Sequence, residues 1–444
     1  MTAPHHGSRT FSPVLAVVLA FIAGAAMLYY HQGLFMPRVL EIRAAKGLGD
    51  GYAFGDDFYP IWLTAKLWPN GHRDLYGAEM TRAIQTGLFG RPLDARNRSD
   101  PPADYRTFAY PAFTELLFWP TAILPFPALR IVLVILLPLI TVCSIWLWLL
   151  ALEWNIHWLW FLTIALLTLC NYPVLEALFA LQPGLIVGFL LAASLFALRK
   201  DRPLLAGILI ALTTIKPQIT ALAILYLLLW LPPGPRRRAH FMAGFFATLL
   251  TLVAASLLIW PSWIPAWSNV ILGYHRYATP PLVSELLGPT LGALVGPLLI
   301  AALLVVSAAL AWRKRRASLT SPDFWLTLSL LLAVTSVAIL PGQAIYDQVI
   351  LLPGILVLLR DWPVLRQAGR VPRILQKLGV VVFLWPWAAV LGLILVRPLL
   401  PPERFASTAV FALPIRTAGS FPFAVLALLL CAMRSNLVKS RAPS

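Results

Sequence analysis

Long, unbroken apolar runs are the feature that most constrains this sequence. Several of them reach about 20 residues, the length that an α-helix needs to cross the hydrocarbon core of a bilayer. Strands of a membrane barrel would instead alternate apolar and polar residues. Hydrophobic residues make up 59% of the 444 residues and charged ones 12%, about half the charged share of a soluble protein. The sequence therefore excludes a water-soluble enzyme and predicts an all-α, polytopic transmembrane helical bundle.

The apolar runs predict about 12 membrane segments in a single domain over residues 1–444. We expect a first helix from about Pro13 to Tyr30, a large polar loop over residues 31–110, and a helical bundle over residues 111–432. The predicted spans of the bundle are residues 111–127, 129–150, 156–171, 184–198, 240–260, 289–312, 324–341, 344–359, 378–396 and 408–432, with a longer run at 203–231.

The polar loop over residues 31–110 lacks the apolar residues of a domain with its own core. Ala53 to Pro69 can place six apolar side chains near one face at helical spacing, which is typical of a helix lying on a membrane surface. We therefore expect this loop to consist of interfacial helices joined by turns, with a loop-like stretch at residues 94–102.

The formal net charge of +17 is interpreted as membrane topology. Cytoplasmic loops carry an excess of Lys and Arg, so no nucleic-acid partner is needed to explain it. Basic clusters at residues 236–238, 313–316, 360–377 and 434–441 mark cytoplasmic ends in this interpretation. The loops at residues 31–110, 261–288 and 397–407 are then extracytoplasmic, in a multi-pass protein of the cell membrane.

One basic cluster conflicts with a simple count of crossings. Residues 199–202 also have a cytoplasmic composition, yet one helix over 203–231 would place them opposite residues 236–238. The conflict disappears if Lys216-Pro217 breaks this run, because proline removes a backbone donor and disfavours a helical residue before it. Broken helices at membrane depth occur where they line a cavity or are buried in protein, so the break points to a site.

Charged residues inside apolar segments are the candidates for chemistry, because the membrane excludes charge at a cost of about 2.5–3.5 kcal/mol each. These candidates are Glu115, Glu176, Lys216 and Asp347. A second group is the acidic pair Asp56 and Asp57, which could be a general base, a metal site or the cap of an interfacial helix. Glu115 alone is expected to be a buried, hydrogen-bonded acid.

Three classes of function remain open on the residues alone: an enzyme, a transporter or flippase, and a non-catalytic scaffold. A transporter of this kind is typically built from repeats in its two halves, and the large polar loop occurs once. The sequence contains no P-loop, HExxH or clustered Cys motif. We therefore expect no cofactor and assign no metal ligands, and metal dependence stays open because the acidic pair could hold a divalent ion. Membrane lipids are the only partner that composition alone implies.

Several short motifs, taken in order, are similar to the membrane glycosyltransferases of the GT-C superfamily, specifically glycosyltransferase family 87. The resemblance covers about residues 57–359. It departs from the family at Ala112, where a second proline is common, and at Gly184, where Asn is common. The motifs are Asp57-Phe58, Ala65, Leu75-Tyr76, Phe108-Ala109-Tyr110-Pro111, Gln182, Leu205-Ala206-Gly207 to Lys216-Pro217, and Tyr346-Asp347-Gln348.

The resemblance implies a transferase that moves a sugar, typically mannose, from a polyprenyl-phosphate donor to a hydroxyl of a lipid or glycan acceptor on the extracytoplasmic side. Its catalytic base maps to Asp57, with Asp56 as the neighbour that could replace it.

Five further residues are expected to contact the donor or the acceptor. Lys216 is the leading phosphate partner, with pairing to Glu176 or Asp347 as the structural alternative. Gln182 binds the sugar or orients the site, with a helix-end cap as its alternative. The remaining candidates in this group are Asp347, His275 and Tyr110.

Overall fold

The computed structural model describes residues 12–49, 51–70, 74–274, 276–401, 404–405 and 409–439. Within these ranges the chain is all-helical and contains no strand, which confirms the predicted fold class. The α-helices are Pro13–Leu28, Met36–Ala45, Tyr59–Leu67, Ala78–Phe89, Phe113–Phe118, Phe126–Ala151, Trp158–Leu169, Tyr172–Phe179, Pro183–Arg199, Pro203–Leu212, Ala221–Leu229, Pro235–Ile259, Trp263–Tyr274, Leu282–Leu286, Gly288–Arg313, Pro322–Ala338, Leu352–Arg360, Trp362–Gln367, Arg370–Val396, Leu413–Ala418 and Phe421–Lys439.

Six helical segments in the described ranges are long and apolar enough to cross a membrane. A seventh crossing arises if the pair Trp158–Leu169 and Tyr172–Phe179, bent by 64°, is one broken span. The total of about 12 segments therefore stays a prediction. The six segments are Pro13–Ala45, Phe126–Ala151, Pro235–Ile259, Gly288–Arg313, Arg370–Leu399 and Val410–Ser435.

The first helix is longer than predicted, because it continues through Tyr30 to Ala45 and shortens the polar loop by 15 residues. A π-helical turn at Tyr29–Phe35 joins its two halves. Pro37, which has no N–H to donate to the preceding turn, follows this π-helical turn within two residues. The polar residues after Tyr30 therefore do not end the helix.

Residues 111–127 do not form the predicted span. The α-helix Phe113–Phe118 is followed by a 3-10 turn at Trp119–Ile123, and Pro120 and Pro125 interrupt continuous α-helix there. The expected surface helix at 53–69 is also shorter, spanning Tyr59–Leu67. Its apolar side chains are buried in protein, in one cluster with side chains of the bundle.

The break at Lys216-Pro217 is confirmed. Helix Pro203–Leu212 ends in a 3-10 turn before Lys216, whose φ of −136° and ψ of 71° are not helical, and a second turn leads into Ala221–Leu229. Because the chain reverses at this break, the basic clusters at residues 199–202 and 236–238 lie at the same end of the bundle. Arg237 pairs with Asp201 at 3.3 Å and also donates to the Leu198 carbonyl.

Two glycines let the helices Pro203–Leu212 and Pro235–Ile259 approach closely. A Cβ on Gly207 would lie 2.1 Å from the Phe241 carbonyl oxygen, and a Cβ on Gly244 would lie 2.2 Å from the Leu204 carbonyl oxygen. Small residues at helix crossings are a common way to pack helices in membranes, because backbones can then touch. This contact fixes the first half of the broken helix.

We expect Gly244→Ala to destabilise the protein by about 1–3 kcal/mol, since its methyl group would press on backbone. Thermal unfolding in detergent measures the effect. The control is Gly392→Ala, where no atom lies within 4 Å of the new Cβ and where the better helix former should leave stability equal or higher. Equal unfolding temperatures for the two variants would contradict the close packing.

Candidate active site

The acidic pair lies on a turn that is bonded to the end of another helix. Gly55 has a φ of +82°, which favours glycine, and its N–H donates to the Phe179 carbonyl at 2.9 Å. The Asp57 N–H donates to the Ala180 carbonyl at 3.2 Å. The helix Tyr59–Leu67 has no side-chain cap, so neither acid has the capping role that was left open.

Gln182 links this acidic pair to the broken helix. Leu181, with a φ of +52°, ends the preceding helical turn and directs Gln182 towards Asp57. The Gln182 amide Nε2 donates to the Asp57 carboxylate, and its Oε1 accepts from Lys216 Nζ at 2.9 Å. Its side chain does not cap the helix Pro183–Arg199. The helix-cap alternative is therefore wrong, and the orienting alternative agrees with the contacts.

Lys216 is 6% exposed and needs partners, because an isolated buried ammonium is strongly destabilising. Its Nζ donates to Asp347 Oδ1 at 2.7 Å and lies 5.0 Å from the centre of the Tyr346 ring. Of the two acids considered as partners from the sequence, Asp347 is the one bonded. Glu176 instead contacts His31, with 2.8 Å between Oε2 and Nε2.

Arg106 completes the site and was missed from the sequence. One guanidinium nitrogen donates to Asp56 Oδ2 at 2.6 Å and the other donates to Asp57. Its positive φ of 65° turns the side chain onto both acids. It is one of ten Lys and Arg residues between His31 and Tyr110, and only its position beside the Tyr110 motif distinguishes it.

These contacts form one continuous set of hydrogen bonds, which we call the polar row. Its members come from five separate parts of the sequence, and the two ends of the row, Arg106 and Asp347, are 241 positions apart in the chain. The polar row consists of Arg106, Asp56, Asp57, Gln182, Lys216 and Asp347.

Burial and neighbouring charges change the protonation of Asp56. Burial raises the pKa of Asp56 to about 7, against the opposing effect of the Arg106 guanidinium, and the charge of Asp57 adds to the increase. Asp56 therefore exchanges its proton near neutral pH.

Tyr110 lies close enough to the row to interact with the charges of Asp57 and Asp347. Burial raises the pKa of its phenol well above the usual value, so the hydroxyl remains a donor. Its backbone carbonyl accepts from the Tyr76 hydroxyl at 2.8 Å. Tyr274 also interacts with the Asp57 charge and is a second tyrosine that the sequence did not single out.

Two other candidates from the sequence, His275 and Glu115, are not among the residues of the polar row. His275 is outside the described residues, and its neighbour Arg276 pairs with Asp104 at 2.7 Å. Glu115 is fully buried, but neither carboxylate oxygen has a hydrogen-bond partner among the described groups. The predicted hydrogen bond of Glu115 is therefore not found in the part of the chain that the structure describes.

A multi-helix membrane protein with an acidic pair and a buried cation beside a helix break has the organisation of an enzyme or a transporter. Comparison with known families decides between these classes. The family model of glycosyltransferase family 87 matches residues 108–341, more than half of the chain.

The chain therefore belongs to glycosyltransferase family 87, a family of GT-C membrane glycosyltransferases. No curated protein and no solved structure matches the chain. Family membership favours a glycosyltransferase over the transporter and scaffold alternatives. The family match agrees with the resemblance that the short sequence motifs indicated.

The geometry of the row predicts a selective effect at Gly184. A Cβ there would lie 2.3 Å from Asp347 Oδ1 and 3.7 Å from Lys216 Nζ. We expect Gly184→Ala to displace this ion pair and to lower glycosyl transfer at least tenfold. Gly188→Ala, one turn on in the same helix, is the control, because its new methyl group meets Val349 at an ordinary 3.4 Å. Equal transfer rates would argue against a role for the pair.

Proposed function

We propose that the protein transfers a hexose, with mannose as the first candidate, from a polyprenyl-phosphate donor to a hydroxyl of a lipid or glycan acceptor on the extracytoplasmic side. The observation that carries the proposal is the bonded sequence Asp57–Gln182–Lys216. It combines a carboxylate, which can take a proton, with an ammonium, which can stabilise a phosphate.

The reaction follows from these two groups. The acceptor oxygen attacks the anomeric carbon as Asp57 takes its proton, and the bond from that carbon to the phosphate oxygen breaks. A positioned general base contributes about 10²–10⁴-fold to such a step. The leaving phosphate keeps the electron pair as a stable anion, so no second acid must protonate it, unlike the alkoxide in a glycosidase. A single displacement inverts the anomeric configuration.

Lys216 has one donor left for the phosphate. An ammonium group has three N–H donors, and Gln182 and Asp347 accept two of them. Its partners hold the amine in place before the donor arrives, which is the condition for electrostatic stabilisation of a developing anion. Arg106 has a different task in this scheme, because it bridges the acidic pair and keeps Asp57 oriented.

The extracytoplasmic location of the reaction is supported by the position of the row. Lys216 and Gln182 lie at the turns of helices whose other ends carry basic clusters. Under the positive-inside rule the basic ends are cytoplasmic. The row then belongs to the opposite side, where polyprenyl-phosphate sugars can serve as donors in the absence of nucleotides.

We expect Asp57→Asn to lower transfer from polyprenyl-phosphate mannose at least 100-fold in proteoliposomes, because the variant lacks the base. Asp56→Asn should keep most of the activity, because an amide resembles the protonated carboxyl. Radiolabelled lipid products measure both, and thermal unfolding checks that both variants fold. An inactive Asp56→Asn beside an active Asp57→Asn would move the base by one residue. Activity in both variants would refute the mechanism.

The phosphate role is tested by Lys216→Gln, which should lower the transfer rate about 10²-fold by removing the cation. Lys314→Gln is a matched control. Lys314 also pairs with an aspartate, Asp323, at 2.6 Å, but it is a member of the basic cluster at 313–316. Similar losses in the two variants would indicate that Lys216 acts on stability alone.

A further inference from the structure

A second buried dyad lies beside the polar row and has no part in the mechanism above. Glu176 Oε2 is 2.8 Å from His31 Nε2 and accepts from the Tyr172 hydroxyl at 3.5 Å. Its other oxygen, Oε1, has no hydrogen-bond partner among the described residues. His31 is 0% exposed, whereas the Glu176 side chain is 26% exposed. The carboxylate is thus held at one oxygen and open at the other.

The histidine is firmly placed. It lies in the π-helical turn Tyr29–Phe35, a kind of turn found frequently at functional sites. The rings of Phe35, Tyr172 and Phe179 pack within 6.3 Å of the imidazole. Its Nδ1 lies 3.0 Å from the Gln32 amide nitrogen. An imidazole fixed in this way orients the carboxylate that it contacts.

The dyad lies at the Asp56 end of the row. Glu176 precedes Ala180 by four residues, a helical rise of about 6 Å, and the Ala180 carbonyl accepts from the Asp57 N–H. Gln182, which contacts Lys216, follows Ala180 by two residues. Glu176 and the Gln182–Lys216 contact therefore lie on opposite sides, along the chain, of the carbonyl that holds the Asp57 amide.

We propose that Glu176, positioned by His31, binds a second hydroxyl of the acceptor while Asp57 takes the proton from the first. The proposal rests on the proposed function. In an inverting displacement the attacking oxygen and the leaving phosphate lie on opposite faces of the anomeric carbon. With the phosphate at Lys216, the acceptor belongs at the Glu176 end. The acceptor group is therefore a polyol, such as a sugar ring, and not an isolated alcohol.

Equilibrium binding of radiolabelled octyl α-D-mannopyranoside to the full chain in nanodiscs tests this proposal, with empty nanodiscs subtracted. We expect Glu176→Gln to raise Kd about tenfold, because a hydrogen bond to a charged group is lost. His31→Gln should raise Kd less, because it loosens the carboxylate without removing it. Glu153→Gln is the control, since Glu153 also contacts a basic side chain, Arg199, but lies beside the basic residues 199–202.

Kinetics separate this role from a structural one. The kinetic assay uses polyprenyl-phosphate mannose as donor and the octyl mannoside as acceptor. Glu176→Gln should raise the KM for the octyl mannoside and leave the rate of donor hydrolysis by water unchanged. An unchanged Kd, a wild-type protein that does not bind the glycoside, or an effect on donor hydrolysis alone would each overturn the proposal. If the wild type binds the glycoside through Glu176 but transfers no mannose from this donor, the polyol site stands and the donor assignment fails.

Discussion

The burial of Lys216 is the constraint on which the rest of the site depends. An ammonium that is 6% exposed in an apolar bundle must be paired, and its pairing with Asp347 requires two segments that are 131 positions apart to meet. Pro217 makes this meeting possible, because the residue before a proline leaves the helix and can direct its side chain inwards. A continuous helix over the same residues would place the amine in the membrane without a partner.

The backbone holds the opposite half of the site. Asp57 reaches Gln182 because its own amide is bonded to the end of the helix Tyr172–Phe179, and Gln182 follows that helix within three residues. Asp57, the proposed base, and the Gln182 amide that contacts it are therefore attached to one structural element. Because both residues are attached to this helix end, a small movement there would displace Asp57 and Gln182 together and preserve their contact. This is how a loop residue can have the precision that catalysis requires.

The sequence was sufficient for the all-helical class, for the break at Lys216 and for most members of the row. The helical class follows from apolar length, the break from proline chemistry, and Lys216 and Asp347 from the cost of buried charge. Gln182 and the choice of Asp57 came instead from the resemblance to the family. Arg106 could not be predicted in this way, because the polar loop contains many basic residues. Only the folded structure shows that this one contacts both Asp56 and Asp57. The length of the first helix was also missed, since a π-helical turn accommodates polar residues that usually end a helix.

The limits of the family match add a physical argument. The matched residues, 108–341, contain Tyr110, Gln182 and Lys216 but neither Asp57 nor Asp347. The structure nevertheless bonds both acids to matched residues, Asp57 to Gln182 and Asp347 to Lys216. Amide and ammonium groups cannot take a proton from a substrate hydroxyl, so the base of the proposed mechanism comes from outside the matched residues. In that mechanism Asp57 takes the proton, whereas Asp347 holds the Lys216 ammonium in place. The polar row is therefore complete only when the matched bundle is folded together with the parts of the chain on either side of it.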